Sequence, residues 1–143
     1  MRLSRNFWKT LRRNKGKVIN IGGGAARNPS HTFMIGGAVN SALNNFSRSL
    51  AMQGKIDKVS VSIIHPGMTL TSRLKKLLET DSKILKKSVK QILKQRCKAD
   101  KIQRPTKPEE VAKLVYSLKK SSNFNFNNIA IDGGKIKRLK THI

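Results

Sequence analysis

Residues 17–51 read KVINIGGGAARNPSHTFMIGGAVNSALNNFSRSLA. Lys17–Ile21 is a short run rich in β-branched residues that ends on three glycines, which predicts a strand entering a tight turn. After a polar loop, Val39, Leu43, Phe46 and Leu50 recur at the spacing of one helical face. A core-facing helix is therefore expected over 38–53, with Gly54 as its stop. Further on, residues 59–64, VSVSII, begin in alternation and end apolar before the His65-Pro66-Gly67 turn, as a buried strand does. Strand, helix and strand in that order predict a parallel pair joined by a right-handed crossover. Thr106-Lys-Pro-Glu109 has the form of a capping box, with the Thr106 hydroxyl placed for the Glu109 amide. Val111, Leu114, Val115 and Leu118 continue that helix at inward spacing, and Tyr116 within it reads as a structural core aromatic. Asn127–Ile131 forms a third strand, closed by Asp132-Gly133-Gly134. The fold class is α/β: a partial, doubly wound parallel sheet of about three strands with flanking helices.

Upstream, residues 1–13 place Leu3, Phe7, Trp8 and Leu11 on one helical face. They read as an amphipathic helix packing on a core, and their Arg-rich, acid-free character also fits a mitochondrial presequence. With 143 residues the chain has the length of one domain, 1–143. Its 31 Lys and Arg against 7 Asp and Glu give a net charge of +24, and no acid precedes Asp57. Cys97 stands alone, which excludes an internal disulfide framework and suits a reducing compartment. His31, His65 and His142 are too scattered for a local metal motif. No run of 18 apolar residues is present, so a soluble, cytoplasmic protein without a transmembrane segment is expected.

Residues 70–104 are basic and read as helical. On a continuous helix, Leu85, Val89, Ile92 and Leu93 share one face, and Lys83, Lys86, Lys87, Lys90 and Lys94 share the other. Such a stripe suits nucleic acid phosphates or an anionic membrane surface, and equally a solvated outer face. Without interleaved aromatic residues it offers no platform for stacking bases. The function it suggests is that of a non-enzymatic basic module.

The ordered series VINIGGGAA, GGAVNSALNNFSRSLA, VSVSIIHPGMTLTSR, RPTKPEEVAKLVYSL and NNIAIDGG resembles the C-terminal part of the short-chain dehydrogenase/reductase family, over about 16–134. The resemblance implies a partial Rossmann-like domain, with 70–104 in the substrate-loop region. It also implies an NAD(P)-dependent oxidoreductase whose glycine-rich pyrophosphate turn and first four strands lie outside this sequence. Gly22-Gly-Gly-Ala-Ala-Arg27 follows a strand but lacks the glycine that G-x-G-x-x-G requires at position 27.

In the family a tyrosine, a lysine four residues later and a serine on the preceding loop move a proton beside the transferred hydride. A phenol of pKa about 10 exchanges protons near neutrality only when a cation lowers it. The resemblance assigns these positions to Gly36, Asn40 and Gly23, so no catalytic group of that set is retained. It implies that Asn40, Pro66, Gly67, Met68 and Thr71 bind NAD or NADP, Asn40 toward a ribose hydroxyl and Thr71 toward the carboxamide. Near the vacant tyrosine position lie Phe33, which has no hydroxyl, and His31, which could exchange a proton. The expected partners are a homo-oligomer, through residues 1–13 and 38–53, or an N-terminal half supplied in trans.

Overall fold

The computed structural model describes residues 1–120 and 126–134. Helix α1 (Arg2–Arg13) leads into strand β1 (Lys17–Ile21), a single 3₁₀ turn (Gly24–Ala26) and helix α2 (Met34–Asp57). Strand β2 (Ser60–Pro66), helices α3 (Ser72–Leu85), α4 (Val89–Asp100) and α5 (Pro108–Lys120), and strand β3 (Asn127–Ile131) complete the order. The three strands form one parallel sheet, β1-β2-β3, with Val18 beside Val61 and Ile64 beside Ile129. This is the α/β architecture expected from the alternating pattern.

The central strand carries the core. Val59, Val61, Ile63 and Ile64 are at most 1% exposed, and each such side chain contributes about 1.5–3 kcal/mol by leaving water. Ser62, also buried, accepts from the Asn127 amide at 3.3 Å. Ser47 on α2 accepts from Asn20 of β1 at 2.8 Å and donates to the Leu43 carbonyl at 2.7 Å. These buried hydroxyls thus have partners, as burial demands.

Helix α2 is longer at both ends than the periodicity predicts. Gly54 is not its stop: a β-carbon there would overlap the Val59 carbonyl, so the glycine lets helix and strand approach closely inside the element. The helix closes at Lys58 in the left-handed conformation, φ 57°. Val39 points outward, 63% exposed, which corrects its place on the core face. On α1, Trp8 donates to Asp57 at 2.7 Å and ties the two helices together, whereas Leu3 and Phe7 are exposed.

Three further expectations are corrected. The basic segment is two helices, not one: Lys86 turns left-handed at φ 50°, and Ser88 caps α4 in a full capping box with Gln91. Leu74, Leu78 and Ile92 form the hairpin's buried cluster, with Leu93 against it, while Leu85 and Val89 are exposed. The box at Thr106 is absent, because its hydroxyl donates to the Ile131 carbonyl instead. Glu110, one residue beyond the expected acid, accepts from the Lys107 amide. Tyr116 is exposed, with the Lys120 ammonium 4.7 Å from its ring centroid. Among the described residues no helix is long and apolar enough to cross a membrane.

Candidate active site

The carboxyl ends of parallel strands splay their loops apart, and ligands of such sheets bind in that crevice. Here the ladder runs past the strands. The Gly22 amide donates to Ile64 at 2.8 Å, and the Gly67 amide donates to Ile131 at 2.9 Å. The loops held in this way bound a cavity of about 590 Å³, whose lining includes Gly23, Asn40, His65, Pro66, Gly67 and Met68. Gly67 is pressed close to the next strand's exit, since a β-carbon there would lie 3.0 Å from the Asp132 Cα.

Two of the three positions that the resemblance aligns with the family's proton relay, Gly23 and Asn40, face each other. A β-carbon on Gly23 would meet the Asn40 amide at 3.2 Å. Asn40 donates to the Gly36 carbonyl, one helical turn back, at 2.8 Å. At Gly36 the space that a side chain would enter is filled by the Phe33 ring, which a β-carbon at position 36 would overlap. Phe33 itself lines the cavity, so an apolar ring fills the space beside the position that the resemblance aligns with the family's tyrosine. His31 is on the exposed loop and is not among the lining residues. Thr71 caps α3 by accepting from the Leu74 amide at 3.4 Å, and it too lies outside the lining.

His65 is the lining residue whose contacts sequence spacing left unread. It is 1% exposed. Nδ1 lies 3.1 Å from the Gly23 carbonyl oxygen, and Nε2 lies 3.2 Å from Asn44 Oδ1. Asn44 also accepts from the Asn128 amide at 2.9 Å. Burial holds the imidazole below its ordinary pKa of 6.5; the Gly23 carbonyl opposes that shift, and the Arg27 charge adds to it. The ring is therefore neutral near pH 7. Nδ1–H donates to the Gly23 carbonyl and ties the loop after β1 to β2. A histidine following the apolar pair Ile63-Ile64, immediately before Pro66-Gly67, was the available signal.

The profile of the family described as short chain dehydrogenase matches residues 1–82, more than half of the chain. The chain belongs to the short chain dehydrogenase family. Among relatives, it is 29% identical to the uncharacterized oxidoreductase YvrD of Bacillus subtilis, over 97% of this chain and 56% of that protein. It is 26% identical to the NADPH-dependent reductase BacG of the same organism, over 87% of this chain and 49% of that one. L-Sorbose reductase from Gluconobacter frateurii, solved with NADPH and L-sorbose, superposes with a TM-score of 0.87 at 27% identity, over 96% of this chain and 54% of its own. The chain spans about half the length of the relatives it matches.

Proposed function

We propose that this short chain dehydrogenase family chain supplies the nicotinamide side of an NAD(P)-dependent oxidoreductase site, completed by a segment that provides the pyrophosphate turn. The observation that carries this reading is the cavity at the strand ends, where Asn40, Pro66, Gly67 and Met68 meet. Asn40 presents an amide where a ribose hydroxyl would lie, the loop at Pro66 to Met68 offers backbone groups to the carboxamide, and Thr71 orders the start of α3 beside it. NADPH is named for two of the similar proteins, BacG and L-sorbose reductase. Nicotinamide cofactors supply the hydride when bound.

The proton is a separate matter. No tyrosine or lysine is among the described lining residues, and general acid/base assistance is typically worth about 10² to 10⁴ in rate. His65 is held below its ordinary pKa, and its one N–H, at Nδ1, is taken up by the Gly23 carbonyl. The site therefore binds and orients far better than it protonates, and ordinary carbonyl reduction by this chain is expected to be slow by at least that factor. Nothing in the similar proteins favours the nucleic acid alternative.

A fluorescence titration with NADPH tests the reading, using the chain alone and with the glycine-rich N-terminal half of a relative added in trans. Saturable binding is expected in the mixture, weakened by Asn40→Leu. Absence of saturable NADPH or NADH binding in both samples would sink it.

A further inference from the structure

We propose that the tip of the α3–α4 hairpin docks on an anionic lipid bilayer. Ile84 is 71% exposed, Leu85 53% and Val89 41%, so three aliphatic side chains on the two sides of the Lys86–Ser88 turn stand in solvent. Lys83, Lys86, Lys87 and Lys90 surround them, and no acid occurs from Lys83 to Ala99. The nearest acid within the hairpin, Asp81, is engaged by Arg96, whose guanidinium donates to it at 2.6 Å and 3.1 Å. None of the tip lysines makes an ion pair among the described residues. Along α4, Lys90, Lys94 and Lys98 repeat every four residues, a like-charge spacing that is unfavourable unless an external anion relieves it.

The corner is a built one. Lys86 takes the left-handed conformation, Ser82 Oγ donates to the Lys87 carbonyl at 2.6 Å, and Ser88 and Gln91 cap the following helix reciprocally. An aliphatic tip ringed by lysines matches an interface in which apolar groups enter the acyl boundary and ammonium groups meet lipid phosphates. A nucleic acid backbone would satisfy the lysines and leave Ile84, Leu85 and Val89 in water. A solvated face would have no use for them either.

Co-sedimentation of the full chain with vesicles, at physiological salt, decides the matter. Retention on phosphatidylcholine vesicles containing phosphatidylserine is expected to exceed that on pure phosphatidylcholine by about tenfold or more, as two-signal interfacial binding requires. The triple variant Ile84→Ser, Leu85→Ser, Val89→Ser, which leaves the charge unchanged, should lose about tenfold, and Leu85→Ser alone a smaller part. Lys83, Lys86, Lys87 and Lys90 changed to Gln should lose as much. A charge-matched control, with Lys9, Lys55, Lys113 and Lys119 changed to Gln, should bind within about twofold of the parent. Far-UV circular dichroism confirms that each variant is folded. Retention unaffected by the serine variants, or lowered equally by the control, would overturn the proposal in favour of undirected attraction to any polyanion, RNA included.

Discussion

At the residue scale, the two glycines that open α2 differ in what they do. A β-carbon on Gly37 would meet nothing closer than the Ala25 carbonyl at 3.6 Å, whereas at Gly36 it would overlap the Phe33 ring. Alanine in a helix is ordinarily favoured over glycine by about 0.5–1 kcal/mol. Gly36→Ala should give that gain only once Phe33→Ala has cleared the ring. In the parent background it should be neutral or destabilising, a coupling of about 0.5 kcal/mol or more in a urea double-mutant cycle. Equal effects in both backgrounds would show that the ring does not occupy the site. His65 gives a second test. Its folded pKa lies below the unfolded 6.5, so the unfolded chain binds the extra proton first as pH falls. The stability held above pH 6.5 should decline below it, down to the folded pKa, and His65→Gln should flatten that slope in denaturation measured from pH 7 to 5. The ordered motifs align Gly23, Gly36 and Asn40 with the family's relay, and that much is read from local sequence. Phe33 as the occupant of the space is not, because a loop ring's direction depends on packing and not on spacing.

At the element scale, α2 and α4 close on Lys58 and Lys101, at φ 57° and 55°, where glycine is the usual residue. A non-glycine residue there costs about 1–2 kcal/mol, partly offset by glycine's larger unfolded-state entropy. Lys58→Gly and Lys101→Gly should each raise stability by about 0.5–1 kcal/mol in urea unfolding; a loss would mean that the lysine stems contribute packing that outweighs the strain. The same left-handed turn at Lys86, φ 50°, divides the basic segment into two helices. Leu85 and Val89 keep helical spacing across Lys86, and nothing in a lysine marks a left-handed turn as glycine would.

At the scale of the whole molecule, β1 forms an edge with no strand beyond it among the described residues, and Ile21 is 49% exposed. An unpaired edge of this kind invites association. The chain alone should therefore show concentration-dependent mass in light scattering, and the N-terminal half proposed to complete the cofactor site should suppress it. A strictly monomeric chain would argue that the edge is covered in some other way. Alternation in VSVSII, the 3.6-residue recurrence from Leu43 to Leu50 and the turn glycines determined the strands, the main helix, their order and the family resemblance, because those signals are local. Tertiary structure alone decided the rest: the burial of His65 between Gly23 and Asn44, the ring over Gly36, and the break that turns Leu85 and Val89 outward. Each depends on contacts between residues that the chain keeps apart until the sheet and helices have packed.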